Sequence, residues 1–586
     1  MNTAARIVAD LEALGVEFLF GYPGGRVIEV FEALADSPIT VVRPRDEREA
    51  SVMAEAYGRF TRSPGVLAGQ GPWIGSLGAL GQMEARLGSS PMVILTEASE
   101  RGEYSTLAPY QQSRGDYGGL DLPAILGAIT EEHWFPRTPL ETVRTTQLAF
   151  KHAVAGRPGP TAVILDGNAV SGEVPEEPTP PLWDPVDQTR TWQARPTDRD
   201  VSAAAEALAE SERPVVVAGN GIHAANAYDA LESVAETYDA AVVTSYLGKS
   251  SIPEIHPRAG GVIGAFGHQG ANDLVSDADV LLVVGCRLNP MDSNWNSPGF
   301  VRPDEQTILH ADIDPRNAGW VYPADVGLIG DAGESLRALC DIAEAVGGID
   351  AGGGAGSGSE TDGAGADATD EDDSWALASA AEAREDFSVP ECDSDATPIK
   401  PQRVVKEVSA VVDEGAIVTA DSGNNRFWLL NYLQAPATGT YFGSGGVGAM
   451  GWAAPAAVTA ALLGREAIAV CGDGGFAMTM TAIETALDHG VAPTYVVMND
   501  HSLGMVRQMD DGIPGAEFRD TDFVTVTEGL GGDGLRITDP ADLAPGLDEA
   551  RSSDIPFVLD VRIDRDEEMA ASLQSSYYAD VGGLHE

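Results

Sequence analysis

The sequence predicts an α/β protein built from three doubly wound parallel-sheet domains, and three observations carry that reading. Short uncharged apolar runs, such as residues 215–218 (VVVA), 280–284 (VLLVV), 467–471 (AIAVC) and 494–498 (TYVVM), have the length and continuity of strands buried on both faces. Between such runs lie Ala/Leu/Glu-rich stretches with helical spacing, for example 201–210 and 480–489, so strand and helix alternate. Two composition breaks then cut the 586 residues into three domain-sized pieces.

In chain order, the first domain is expected over 1–172. It opens on an amphipathic helix that carries Asp10 and Glu12 and lacks the continuous apolar core of a signal peptide. A proline-rich connector is expected over 173–196, where EVPEEPTPPLWDP reads as stiff and extended. The middle domain is expected over 197–346. An acidic Gly/Asp-rich linker follows over 347–395, because its Gly, Ala, Asp and Ser lack apolar periodicity. The third domain is expected over 396–586.

Charge limits the function classes. The chain has 36 Lys+Arg against 90 Asp+Glu, a formal net charge of −54, which repels phosphate backbones and anionic lipid surfaces. Nucleic-acid and membrane binding are therefore not expected. No run approaches the roughly 20 uncharged apolar residues of a membrane span, so a cytoplasmic protein is expected. Lysines occur only at 151, 249, 400 and 406, and an acidic, lysine-poor surface suits a salt-rich interior where charge repulsion is screened. Cys286, Cys340, Cys392 and Cys471 are widely spaced without a CxxC pair, which indicates neither a disulfide framework nor a zinc site.

The sharpest chemical signal is in the third domain. The strand at 467–471 runs into Gly472-Asp473-Gly474-Gly475, and a second strand ends at Asn499-Asp500. Glycines at a strand-to-helix turn let backbone N–H groups approach an anion. Asp473 and Asp500, 27 residues apart, fall at the carboxyl ends of two strands, where α/β sheets place ligands. Two hard oxygen ligands beside a phosphate-binding turn are what Mg²⁺ requires. Taken alone, GDGG is equally an ordinary strand-to-helix turn. A second anion-friendly turn, 420–425 (ADSGNN), offers Gly423, Asn424 and Asn425, and alone reads equally well as a helix cap. Between them, 443–455 (GSGGVGAMGWAAP) has one flexible bulky apolar side chain, Met450. The first domain contributes 20–25 (FGYPGG), with Gly24 and Gly25, and Glu47 in a charge run opening a helix. Glu49 and Glu55 in that run are expected on a solvated face. In the middle domain 219–224 (GNGIHA) imitates a dinucleotide fingerprint, and a lone match of that kind is weak.

FGYPGG, the helix-opening Glu47, 310–315 (HADIDP) with Gly330-Asp331, and GDGG followed by Asn499-Asp500 occur in this order. That order resembles the thiamine-diphosphate-dependent enzymes of the acetolactate synthase/pyruvate decarboxylase superfamily. Within it, 443–455 and Gly504-Met505-Val506 resemble acetolactate synthase catalytic subunits. The resemblance implies a pyrimidine-binding first domain, a middle domain, and a diphosphate-binding third domain. It implies that Glu47 hydrogen-bonds the pyrimidine ring nitrogen of thiamine diphosphate, with a raised pKa. It implies Mg²⁺ on Asp473, Asp500 and the Ser502 carbonyl, and a cofactor held by Gly24, Gly25, Gly423, Asn424, Asn425, Met450, Gly472, Gly474, Gly475 and Met505. It further implies a 2-oxoacid substrate near Gln70, Trp73, Gln111 and Met509. Because such enzymes hold the cofactor between subunits, a homodimer is expected as the minimum and a tetramer is compatible; a regulatory subunit is not legible in these motifs.

Three departures bear on the substrate. Asp500 stands where the family usually has Asn, 69–76 (GQGPWIGS) stands for TSGPGATN, and Met509 stands for a tryptophan. The expected function is acetolactate synthase-like decarboxylation and carboligation. A simple decarboxylase releasing an aldehyde, of the benzoylformate or sulfopyruvate type, is the alternative within the class, and a non-catalytic cofactor-binding regulator is the alternative outside it. In the middle domain, His268 and Arg287 lie near family FAD contacts; a structural role is expected for both, with FAD the less favoured reading.

Overall fold

A computed structural model describes residues 1–98, 104–347, 374–508 and 512–568. Met509 lies outside the described residues. Three parallel six-stranded sheets with flanking helices make up the fold, the α/β class that the alternation of apolar runs predicts.

The first sheet contains β1 (Phe18–Gly21), β2 (Thr40–Val42), β3 (Gly65–Ala68), β4 (Met92–Glu97), β5 (Glu132–Trp134) and β6 (Pro160–Leu165), in the order β2-β1-β3-β4-β6-β5. The middle sheet contains β7 (Pro214–Ala218), β8 (Ala241–Thr244), β9 (Ala259–Val262), β10 (Val280–Val284), β11 (Thr307–Asp312) and β12 (Val326–Ile329), in the order β12-β11-β10-β7-β8-β9. The third contains β13 (Ile417–Ala420), β14 (Tyr441–Gly443), β15 (Ala467–Gly472), β16 (Thr494–Asn499), β17 (Asp533–Ile537) and β18 (Phe557–Arg562), in the order β14-β13-β15-β16-β18-β17. The first and third sheets therefore share one topology, and the middle sheet has the dinucleotide-fold order. Central strands such as β4, β10 and β16 are buried along their whole length, which is why they read as continuous apolar runs.

Two compact units result. One gathers Met1–Trp192, Ser394–Arg426 and Tyr441–Glu567, and so contains the first and third sheets. Its core joins them through the helix Glu47–Thr61 and the helix Ala453–Leu462, whose facing Ala50, Met53, Ala54, Ala456, Ala457 and Ala460 are fully buried. Small side chains let these helices approach closely, and Thr459 Oγ1 donates to the Met53 carbonyl at 3.3 Å. The other unit, built around the middle sheet, gathers the described part of Gln193–Asp393 with Phe427–Thr440.

Two expectations are corrected. Residues 375–395 are not linker: Trp375–Ala383 is an α-helix, capped by the Ser374 hydroxyl and burying Ala376, Ala380 and Ala383. Its alanines supply a narrow apolar stripe that composition averaged over the acidic segment conceals. The 348–373 part of the segment lies outside the described residues. Within the 173–196 connector a single helical turn forms at Pro185–Thr189, capped by Asp184.

Glu49 and Glu55, expected on a solvated face, are both fully buried. The helix they belong to is covered on that side by the third sheet's elements, which lie hundreds of residues away in sequence. Glu49 accepts from the Arg45 amide at 3.4 Å and from the Thr481 hydroxyl, and burial pushes its carboxyl from 4.5 up to about 7. A carboxyl whose folded pKa exceeds its unfolded value leaves stability intact below the unfolded value and lowers it as pH rises through the folded one. Glu49 should therefore cost about 3 kcal/mol above pH 7 relative to pH 4. Glu49→Gln is expected to be more stable than the parent at pH 8, with the difference vanishing near pH 4.5; denaturant unfolding at several pH values measures it, and a pH-independent difference would contradict the assignment.

Candidate functional site

The strand order of the third sheet reverses between β13 and β15, and ligands of open α/β sheets bind at the carboxyl ends of strands at such a point. β13 ends in Asp421-Ser422-Gly423-Asn424, β15 in Asp473 and β16 in Asp500, and β15 pairs with β16 with Gly472 opposite Met498. The fold thus brings the two turns and both aspartates to one crevice.

Buried carboxylates dominate its electrostatics. Burial and then the neighbouring Asp500 push Asp473 up to about 7, and burial also raises Asp500. Each aspartate holds a backbone amide beside it: Asp473 accepts from Gly474 N at 2.9 Å and Asp500 from Ser502 N at 3.0 Å. Gly504 opens the helix Gly504–Arg507, which carries Met505, and a Cβ at Gly504 would lie 2.6 Å from Asp500 Oδ2 and 3.3 Å from Asn424 Nδ2. Asn424 Nδ2 donates to Gln508 Oε1 at 3.1 Å, while its Oδ1 is buried and has no hydrogen-bond partner among the described residues. At Gly474 a Cβ would meet Phe518 at 3.0 Å, Met450 Cε at 3.2 Å and Leu503 at 3.3 Å. Asn425 instead turns inward, donating to the carbonyls of Asp421 and Val470 at 2.9 and 3.2 Å.

These residues fit a divalent cation with an anionic ligand. A buried and a half-buried carboxylate that repel each other are stabilised by a cation between them, the Asn424 side-chain amide lies beside them, and glycines leave the backbone open there.

Asp421 was not singled out by sequence reasoning, although it sits in a turn chosen for its asparagines. It is fully buried, its carboxyl pushed up to about 6 by burial, and it accepts from the amides of Ser422 (2.9 Å), Gly451 (2.9 Å) and Trp452 (3.3 Å). It ties the Met450 loop to the end of β13. Gly475 makes room for it, since a Cβ there would lie 2.3 Å from Asp421 Oδ2. Leu503, Phe518 and Gln508 also line this crevice without a legible motif.

A second cluster forms at the carboxyl ends of β1, β3 and β4. Gln70 Nε2 donates to Gln111 Oε1 at 2.9 Å, a Cβ on Gly24 would meet Gln70 Oε1 at 3.2 Å, and Gly25, at φ +52°, backs onto the buried Glu97 carboxylate. Trp73 lies on the short helix Gly71–Ile74 and is 43% exposed. Glu47 stands in the first turn of its own helix, which Asp46 caps by accepting from Glu49 N at 2.9 Å. It is 9% exposed, and its carboxyl is raised above the ordinary value, first by burial, with Asp46 adding. Among the described residues, no hydrogen bond joins the Glu47 side chain to either cluster.

In the middle sheet the GNGIHA turn does not present a dinucleotide cradle. Gly219 N donates to Val284 O at 2.9 Å and Gly221 N to Gly285 O at 3.0 Å, so these two amides are committed to the neighbouring strand end. His268 accepts from Val262 N at 3.0 Å and donates from Nε2 to Asn431 O at 2.8 Å; burial holds its pKa near 4 and the ring neutral. Both ring nitrogens serve backbone groups, the structural role expected of this histidine.

Family models match three segments of the chain. Those for the thiamine pyrophosphate enzyme match at residues 1–118 (N-terminal TPP binding domain), 201–339 (central domain) and 421–561 (C-terminal TPP binding domain). The chain is 31% identical to the probable acetolactate synthase large subunit of Methanocaldococcus jannaschii, covering 96% of this chain and 92% of that protein. It is 29% identical to the acetolactate synthase large subunit of Corynebacterium glutamicum (97% and 87% covered). With the acetolactate synthase isozyme 3 large subunit of Escherichia coli it shares 28% (97% and 96%).

Proposed function

The chain belongs to the thiamine pyrophosphate enzymes, in their acetolactate synthase-like part, and from that premise we propose that it decarboxylates a 2-oxoacid and joins the remaining acyl unit to a second one, with thiamine diphosphate and Mg²⁺. The carrying observation is the crevice at the β13/β15 reversal, where Asp473 and Asp500 repel each other and the Asn424 side-chain amide and Gly504 stand beside Asp500. When bound, thiamine diphosphate supplies the nucleophilic carbon and the electron sink.

The chain's own residues do the rest. Asp473, Asp500 and the Ser502 carbonyl would hold Mg²⁺, and Gly423, Asn424, Gly472, Gly474 and Gly475 would hold the diphosphate; the Asn425 side chain, committed to the Asp421 and Val470 carbonyls, would brace the turn. Met450 and Met505 give apolar support, and Gly24 and Gly25 with Gln70, Trp73 and Gln111 bound the pyrimidine and substrate side. Glu47 would hold a proton on its carboxyl oxygen against the pyrimidine side of the cofactor, a task for which its burial suits it. Residues 1–172, 197–346 and 396–586 serve as the pyrimidine-binding, middle and diphosphate-binding domains.

The active assembly is a homodimer or larger. Trp73, Leu77, Leu107, Tyr110, Tyr117 and Leu120 are all more than 40% exposed, an apolar surface that a second copy would cover. An active monomer would overturn this. Among the described residues no helix is long and apolar enough to cross a membrane. The charge of −54 supports a cytoplasmic protein of a salt-rich cell. Its unfolding midpoint is expected to rise steadily from dilute buffer to molar salt, and full stability in dilute buffer would refute that.

The deciding experiment titrates thiamine diphosphate with Mg²⁺ by fluorescence in molar salt, then assays a panel of 2-oxoacids for CO₂ and for products by mass spectrometry. Acetolactate from pyruvate is expected. An aldehyde as sole product would assign a simple decarboxylase, and tight cofactor binding with no turnover would assign a regulator.

A further inference from the structure

The loop 443–452, which contains Met450, is gripped by the first-sheet domain of the same chain. Glu84, fully buried on the helix Ala79–Gly88, accepts from three amides of this loop: Gly446 N at 2.8 Å on Oε2, and Val447 N at 3.2 Å and Ala449 N at 3.0 Å on Oε1. Gly446 permits the approach, since a Cβ there would lie 2.7 Å from Glu84 Oε2. Arg59 lies 3.7 Å from Glu84 and 2.6 Å from Glu55, and its Nη1 donates to Gly443 O at 2.7 Å. Glu55 accepts from Trp452 Nε1 at 2.7 Å, and the Arg59 guanidinium lies over the Trp452 ring, 5.0 Å from its centre. Both ends and the middle of the loop are thus fixed by charge-assisted hydrogen bonds to buried groups, the strong kind. Asp421 holds it from the third sheet at Gly451 and Trp452.

We propose that Glu84 is a positioning residue for Met450, and that Glu55 and Arg59 complete a clamp through which the first-sheet domain sets the cofactor-supporting loop of the third. The clamp rests on the reading of Met450 as that support. A buried acid receiving three amides from the turn just before Met450 leaves the loop one conformation, so the side chain is presented to the Gly474 crevice without an ordering cost when the cofactor arrives. The helix Glu47–Thr61 contains both Glu47, at its first turn, and Glu55 and Arg59, two and three turns on, so the proton-handling group and the clamp share one rigid element.

The test uses the full-length protein in molar salt with Mg²⁺. Glu84→Gln keeps the shape and turns one acceptor oxygen into a donor facing the loop amides. It is expected to weaken thiamine diphosphate binding about tenfold, the scale of losing a supporting contact, and to speed hydrogen exchange across 443–452 while strand amides stay protected. Met450→Ala is expected to weaken binding alone, and the double variant to be no weaker than Met450→Ala. Glu84→Asp should restore part of the affinity. If Met450→Ala weakens binding and Glu84→Gln does not, the clamp is wrong; additive losses would likewise overturn it as general destabilisation. A silent Met450→Ala would remove the reading beneath it, and the clamp with it. Should Glu84→Gln not fold, exchange in Arg59→Lys decides: unchanged protection of 443–452 refutes the clamp.

Discussion

Glu47→Gln is expected to lose about 10²–10⁴-fold in turnover, the span of a positioned proton-transfer group, while still binding thiamine diphosphate and Mg²⁺. Glutamine preserves the size of the side chain and can still hydrogen-bond a ring nitrogen, but it cannot hand over a proton. The position is suited to that proton. Glu47 is nearly buried in the first turn of its helix, where burial and Asp46 raise its pKa and its own backbone amide only partly offsets them. Cofactor titration with single-turnover CO₂ release separates the two properties, and near-normal turnover would remove Glu47 from the chemistry.

Asp473→Ala is expected to abolish Mg²⁺-dependent cofactor binding. Removing one charge from a buried, mutually dependent set costs about 3–5 kcal/mol, more than about a hundredfold in affinity. Asp500→Asn should behave differently. It keeps an oxygen at the ligand position and removes a charge that repels Asp473, so Mg²⁺ binding should persist, weakened by no more than about tenfold. Metal titration of the two variants beside the parent makes the comparison. Unchanged Mg²⁺ binding in Asp473→Ala would remove it from the metal site, and a loss in Asp500→Asn as large as that in Asp473→Ala would show that the Asp500 charge, and not only its oxygen, is needed.

Several parts of the site were legible because their signals are local. GDGG sits at a strand-to-helix turn because β15 is an uninterrupted apolar run and the glycines break it. ADSGNN is legible for the same reason, and the 27-residue separation of Asp473 and Asp500 is one strand–helix–strand unit. Asp421 escaped notice inside a recognised motif, because its worth lies in accepting from Gly451 and Trp452, 30 and 31 residues on. Glu49 and Glu55 are buried although a charge run looks solvated, because the elements that cover them come from the third sheet, far along the chain. Glu84 had no signal at all: its three amide donors are more than 360 residues away.

The sequence by itself determined the α/β class, the three sheets, the anion-binding turns and the family, since strand burial, turn glycines and ligand spacing are encoded within a few dozen residues. Only the tertiary structure decided which acids are buried and what they hold, which amides of the middle domain remain open, and how the Met450 loop is fixed. Those outcomes depend on pairs brought together by folding, where desolvation and hydrogen-bond geometry, rather than residue type, set the role of a carboxylate.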